Sequence, residues 1–132
     1  MKRLLALTLV LVTLLTLLGC TSSQSADDKL FDRLVAPKAK KLTLEKVIEL
    51  ADEKGESLTW SDFKNYHCTP TGSGLLILVY DLRDSEYQLV IGGFGTDFTT
   101  IPPMYIRLMR ENDRNHYIDI RTDDIDAFLA ST

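Results

Sequence analysis

The hydrophobic periodicity of this chain changes from helical to strand-like at the turn-rich segment Thr69-Pro70-Thr71-Gly72-Ser73-Gly74. Before this segment, apolar residues recur at intervals of three and four, which is the spacing of one face of a helix. After it, they form short runs with the period of two that is typical of strands. Helices followed by strands predict an α+β fold, in which the helices cover one face of an antiparallel sheet.

Two helices are predicted before the turn-rich segment. The first is capped by Thr43 and has apolar residues at helical spacing, namely Leu44, Val47, Ile48 and Ala51. Thr59 and Asp62 stand at the spacing of a capping box, which predicts a short second helix over residues 60–66. The aromatic residues of this helix would share one side, and we favour core packing over a binding surface for them: Trp60, Phe63 and Tyr66.

Four strands are predicted after the turn-rich segment. Residues 75–82 are nearly continuously apolar, as in a strand that is buried on both faces. Residues 87–91 and 104–109 alternate between apolar and other side chains, and residues 117–120 form the fourth strand. We therefore expect N-terminal helices packed on a four-stranded antiparallel meander. A short C-terminal helix, capped by Thr122 or Asp123 and extending to about Ala130, would complete the fold.

The N-terminus has the composition of a secretory signal peptide. Met1-Lys2-Arg3 is followed by an apolar run over residues 4–18 and then by Gly19-Cys20. The run is shorter than the roughly 20 apolar residues that cross a bilayer, and three threonines interrupt it. Leu17-Leu18-Gly19-Cys20 resembles the signal of bacterial lipoproteins. An ordinary cleaved signal peptide and an uncleaved anchor are the alternatives.

The resemblance to bacterial lipoproteins implies cleavage before Cys20 and attachment of lipid, such as palmitate, to that residue. Its acyl chains would hold the protein on the extracytoplasmic face of the cell membrane. The chain would then divide into a signal peptide (1–19), a lipidated cysteine with a flexible tether (20–41) and a single α+β domain (42–132). In this organisation the chain resembles the small lipoproteins of bacterial envelopes, which implies a location and no activity.

The charge balance excludes one class of partner. Removal of residues 1–19 takes away Lys2 and Arg3 and no acid, so 15 basic residues become 13 against 19 acidic residues, a formal charge of −6. An acidic chain lacks the basic patch that nucleic-acid phosphates require. We therefore expect no nucleic-acid partner, and membrane attachment only through the lipid on Cys20.

The best candidate for catalysis is Cys68, because a cysteine nucleophile needs a nearby base and two histidines are present. His67 would point away from Cys68 in an extended segment, so the base would be His116. Cys68 precedes Pro70 in a loop and does not open a helix, which would lower its pKa. We favour an unreactive thiol and predict no catalytic residue.

Metal and cofactor motifs are also lacking in the sequence. The spacing of the two histidines and Cys68 matches no zinc module. The acids Asp123, Asp124 and Asp126 are not accompanied by the glycine and glutamate of a calcium loop. Gly92-Gly93-Phe94-Gly95 follows a predicted strand but precedes no helix, unlike a phosphate-binding loop. We predict no metal and no cofactor.

The predicted connection over residues 92–103 is long for a compact domain, and long loops are often functional. Its candidate contact residues are Phe94, Phe98, Ile101 and Pro102. The alternative is that Phe94 and Phe98 fold back over an open edge of the sheet.

The leading functional hypothesis is a non-enzymatic envelope lipoprotein that binds another protein or an envelope component, through this loop or an exposed sheet edge. One alternative is a small thiol-dependent enzyme that acts on wall peptides through Cys68 and His116. Another is a small-ligand carrier with an apolar pocket between helix and sheet.

Overall fold

A computed structural model describes residues 40–94 and 101–131 of the chain. The secondary structure elements of these residues are, in chain order, α1 (Leu44–Lys54), two short 3-10 helices (Gly55–Ser57 and Trp60–Phe63), β1 (Thr69–Thr71), β2 (Leu76–Asp81), β3 (Tyr87–Gly93), β4 (Tyr105–Arg110), β5 (Asp113–Asp119) and α2 (Ile125–Ala130). The fold is of the α+β class, as the periodicity predicts.

The five strands form one sheet in the order β1-β2-β3-β4-β5, with every neighbouring pair antiparallel. The prediction of four strands is wrong, because β1 lies inside the segment that was assigned to a turn. Pro70 cannot donate to a ladder, and it is tolerated because β1 is at the edge of the sheet. The connection to β2 needs positive φ at Gly72 (102°) and Gly74 (88°), which glycine adopts at little cost.

The first helix confirms its predicted cap, since the Thr43 hydroxyl accepts a hydrogen bond from the Lys46 amide at 3.2 Å. The predicted capping box is also present: the Thr59 amide donates to the Asp62 carboxylate at 2.8 Å. The helix that it begins is only a 3-10 turn, and the predicted extension to residue 66 is wrong. Tyr66 instead pairs with Lys40 in a parallel bridge, and the His67 amide donates to the Lys40 carbonyl at 2.8 Å.

The C-terminal helix α2 begins later than predicted. Its cap is Asp124, whose carboxylate accepts from the Ala127 amide at 2.9 Å. Asp123, one of the two predicted caps, is engaged elsewhere because its carboxylate accepts from the Asp119 amide at 2.8 Å.

The register of the sheet sorts its side chains onto two faces. One face packs against the helices, and its central residues are fully buried: Leu78, Tyr80, Leu89, Ile91, Ile106 and Leu108. They form one core with α1, the second 3-10 turn and α2. Burial of such a side chain is worth about 1.5–3 kcal/mol, so this core carries the stability of the fold.

The opposite face of the sheet does not belong to that core. We call it the open face, and its residues, taken from the cross-strand register, are Thr69, Thr71, Ile77, Val79, Asp81, Gln88, Val90, Gly92, Tyr105, Arg107, Met109, Tyr117 and Asp119.

Candidate functional site

The connection between β3 and β4 exposes large apolar side chains. Phe94 is 62% exposed, Met104 is 54% exposed and Ile101 is 44% exposed, and Pro102 is exposed as well. The sequence predicted Phe94, Ile101 and Pro102 as contact residues; it also predicted Phe98, which lies outside the described residues. Met104 was missed, because its alternation with the following residues assigned it to a strand that begins at Tyr105. We call Phe94, Ile101, Pro102 and Met104 the apolar loop surface.

The backbone of this surface is attached to the sheet and to the helical layer. The Met104 amide donates to the Gly92 carbonyl at 2.9 Å. The indole Nε1 of Trp60 donates to the Ile101 carbonyl at 3.0 Å. The Trp60 ring lies against Gly93, where a Cβ would stand 3.0 Å from the ring carbon Cζ2. Core packing of Trp60 is thus confirmed, and its contact with the loop is an addition that the sequence did not predict.

Arg121 attaches the second end of the loop. Its Nη1 donates to the Pro103 carbonyl and its Nη2 to the Met104 carbonyl, both at 3.0 Å. The same guanidinium binds the Asp119 carboxylate through Nε at 2.9 Å and through Nη2 at 2.7 Å. Arg121 was not singled out from the sequence. The sequence pattern that could have indicated its role is an acid, Asp119, two residues before an arginine at the end of a strand.

The electrostatics of Asp119 and Arg121 keep both groups charged. Partial burial opposes ionisation of Asp119, but the hydrogen bonds from Arg121 and from the Ile106 amide outweigh it and lower the pKa of the carboxyl. The hydrogen bond to Asp119 raises the pKa of Arg121 against the effect of desolvation. Both side chains are largely buried, Asp119 at 23% exposure and Arg121 at 18%, so solvent screens this pair less than a surface pair.

The exposed groups of this arrangement are suited to apolar contact. The carbonyls of Ile101, Pro103 and Met104 already accept hydrogen bonds, and the exposed side chains are apolar. The described residues 101–104, whose backbone is held at several points, present their side chains with little conformational entropy left to lose on binding.

Cys68 lies in the core, 1% exposed, beside the hydroxyl of Tyr80. Burial raises the pKa of the thiol, and the Tyr80 hydroxyl only partly offsets that effect. Burial also raises the pKa of Tyr80 itself. A neutral thiol without access to solvent is a poor nucleophile.

His116 and Cys68 are not brought together. Cys68 immediately precedes β1 at one edge of the sheet, whereas His116 is in β5 at the other edge. Four spacings of about 4.8 Å between neighbouring strands separate the two edges by about 19 Å. The His116 ring packs on Phe128, with centroids 5.1 Å apart. His67 is exposed while Cys68 is buried, so the adjacent pair points to opposite sides, as predicted.

The described residues hold no group of three or more His, Cys, Asp or Glu side chains placed to bind a metal ion. Within the same residues, no helix has the length and apolarity needed to cross a bilayer.

A groove of about 280 Å³ lies between α1 and the segment that leads into α2. Its apolar lining residues are Ile48, Ala51, Ile120 and Ile125, and its polar lining residues are Asp52, Arg121, Thr122, Asp123, Asp124 and Asp126. This groove has a mixed apolar and charged lining, whereas the carrier hypothesis predicts an apolar pocket between helix and sheet.

In comparisons with protein families, curated proteins and solved structures, the chain matches none of them. What the protein does is therefore inferred from its own residues.

Proposed function

We propose that this protein is a lipid-anchored envelope lipoprotein whose α+β domain binds another envelope protein through the apolar loop surface, without catalysing a reaction. The observation that carries the proposal is the exposure of Phe94, Ile101 and Met104 on one loop. Single exposed apolar residues are common, but several that lie together mark interaction sites.

The attachment of the loop supports binding over a purely structural role. If the loop served only to connect two strands, exposure of Phe94 and Met104 to water would bring no benefit. Burial of each such side chain against a partner is worth about 1.5–3 kcal/mol. Trp60 and Arg121 hold the loop backbone in place, which lowers the entropic cost of that burial.

The lipid anchor is the second part of the proposal, and Cys20 lies outside the described residues. It is supported by the resemblance of Leu17-Leu18-Gly19-Cys20 to the lipoprotein signal and by the basic, apolar segment before it. The test compares the full chain with Cys20→Ala in membrane fractions and in metabolic labelling with a palmitate analogue. We expect label and membrane retention only with the intact cysteine.

Binding is tested by photo-crosslinking of the full chain in its own cells. A photoreactive amino acid replaces Phe94 or Met104 in two separate variants, and replaces the exposed residue Glu53 of α1 as the matched control. We expect the same adduct from the two loop positions and not from the control. Adducts of equal yield from all three positions, or from none, would contradict the proposed binding surface.

A further inference from the structure

Strands β2 and β3 carry apolar residues on both faces of the sheet. Within the described part of the chain, the helices cover only one of these two faces. Residues 75–82 have the nearly continuous apolar pattern of a strand that is buried on both faces. On the open face, Ile77, Val79 and Val90 remain partly exposed, and none of the three packs against the core. The sequence of these strands therefore predicts that a second layer packs on the open face.

The open face combines residue types typical of protein interfaces with two acids. It contains two tyrosines, an arginine, a methionine and three β-branched aliphatic residues, together with two aspartates and two threonines, and neither lysine nor glutamate. Tyr, Met and Arg are enriched at protein interfaces, whereas Lys, Glu and Asp are depleted there, so the two aspartates are the exception on this face. Met109 and Gln88 are already nearly buried by their neighbours, which leaves a closely packed face.

Arg107 is held rigidly near the centre of this face. Its guanidinium carbon lies 4.3 Å from the ring centroid of Tyr105 and 4.1 Å from that of Tyr117. The Tyr105 ring in turn lies over Gly92, where a Cβ would come within 2.2 Å of it. Two aromatic rings thus fix the guanidinium in place before any partner binds.

The open face carries one cation, Arg107 on β4, and two anions, Asp81 on β2 and Asp119 on β5. Asp119 stands across from Arg107 in the register, but its carboxylate is paired with Arg121. None of the ion pairs between described residues includes Arg107 or Asp81. The exposed Asp81 carboxylate accepts a neutral hydrogen bond from the Gln88 amide at 2.8 Å, so within the part of the chain that the structure describes Arg107 and Asp81 form no ion pair.

A two-fold axis along β3 would satisfy both charges with one partner. Rotation about such an axis places β4 of one copy opposite β2 of the other, because these strands flank β3 on its two sides. Val90 of β3 then faces its own counterpart, and Arg107 of each copy lies over Val79 in β2 of the other copy. Asp81 is two residues further along that strand, about 7 Å away, so the pair forms diagonally. Sheets stack face to face at about 10 Å, a gap that an arginine and an aspartate side chain can bridge together.

We propose that a second copy of this chain docks on the open face, with Arg107 of each copy paired to Asp81 of the other. The contact is isologous, so the same pair forms twice and the assembly closes as a dimer. It does not depend on binding through the apolar loop surface, and either proposal can fail without the other.

The test uses charge exchange in the full chain, with two differently tagged copies expressed together and purified from a mild detergent extract. We expect wild-type copies to co-purify. Arg107→Asp in both copies places two carboxylates opposite each other, and Asp81→Arg in both copies places two guanidinium groups together, so each variant should lose self-association at least tenfold. A copy with Arg107→Asp and a copy with Asp81→Arg restore opposite charges at both contacts and should co-purify again.

Matched controls separate this contact from general effects of charge and folding. Lys64→Asp and Asp52→Arg reverse exposed charges on the helical side of the molecule and should leave co-purification unchanged. Each variant's thermal unfolding is recorded, and recovery of the mixed pair shows in addition that both variants fold. The proposal is overturned if wild-type copies do not associate, if the two variants associate as well as wild type, or if the mixed pair does not recover. It is also overturned if Arg107 is needed only for capture of a different protein.

Discussion

Arg121 is bound to Asp119 by two hydrogen bonds, Nε to Oδ1 at 2.9 Å and Nη2 to Oδ2 at 2.7 Å, and it uses its remaining donors on the loop. Nη1 and Nη2 reach the carbonyls of Pro103 and Met104, each at 3.0 Å. One ion pair thereby connects the end of β5 to the backbone of the apolar loop surface. The backbone position of Met104, one of the exposed residues, therefore depends on this pair.

Replacement of Arg121 by lysine should destabilise the domain and loosen the loop. Lysine keeps the charge but cannot contact one carboxylate and two carbonyls at once, because its ammonium lacks the planar fork of guanidinium. Loss of these charge-assisted bonds costs about 1–3 kcal/mol, which urea unfolding measures. Hydrogen exchange of the Met104 amide should accelerate in parallel. Arg114→Lys, at an exposed position of β5, is the control and should change neither quantity.

Acidification should weaken the ion pair between Asp119 and Arg121. The pKa of Asp119 is lowered on folding, so its stabilising contribution is complete above the ordinary aspartate pKa of about 3.9 and is lost as the pH falls through the lower folded value. The Asp119→Asn variant should therefore be less stable than wild type at pH 7, and the difference should shrink toward pH 3. Thermal unfolding across this range gives both curves. Asp126→Asn, at an exposed position of α2, controls for the change in net charge. A constant stability difference between Asp119→Asn and wild type would contradict the assignment.

The elements that sequence predicted well are those decided by neighbouring residues. The cap of α1 at Thr43 and the capping box of Thr59 and Asp62 depend on side chains three residues from the amides they bind. The strands β2, β3 and β4 follow from alternation and from the hydrophobicity of their own residues. The α+β class was predictable for the same reason.

The features that were missed depend on contacts between distant residues. β1 is a three-residue strand with Pro70 at its centre, and it exists because β2 offers it a partner. Trp60 and Ile101 are 41 residues apart, and Arg121 and Pro103 are 18 apart, so no local pattern indicates their hydrogen bonds. The loop residues Phe94, Ile101 and Pro102 were predictable because they are apolar residues in a long connection, but the way the loop is held was not.

Trp60→Phe should separate the two roles of Trp60. Phenylalanine keeps an aromatic ring in the core, but it lacks the donor for the Ile101 carbonyl and the indole carbon Cζ2 that lies against Gly93. We expect a loss of about 1–3 kcal/mol in unfolding free energy, since the change removes one hydrogen bond and part of a buried ring. Crosslinking from position 94 should weaken if the loop is a binding surface. Phe63→Leu, a core substitution in the same 3-10 turn without contact to the loop carbonyl, should destabilise the domain and leave crosslinking unchanged.

The thiol of Cys68 should be unreactive in the folded protein. Burial raises its pKa and excludes reagent, so labelling by a thiol-specific disulfide at pH 8 should wait for unfolding. The experiment uses the full chain with Cys20→Ala, so that one thiol remains. Urea supplies the control, because the same thiol should react fully once the core opens. Rapid labelling of the native protein would instead revive the thiol-enzyme hypothesis.

Gly92→Ala should disturb the open face through a single contact. The new Cβ would lie 2.2 Å from the Tyr105 ring, so the ring must move away, and Arg107 loses one of its two aromatic supports. The change should cost about 1–3 kcal/mol, which is the range for overpacking a closely packed site. In a Tyr105→Ala background the clash is absent, so the same glycine substitution should cost much less. Denaturant unfolding of the wild type, the two single variants and the double variant gives the coupling energy directly. Additive effects would show that the Tyr105 ring does not rest on Gly92, and the rigid placement of Arg107 on the open face would then lose its basis.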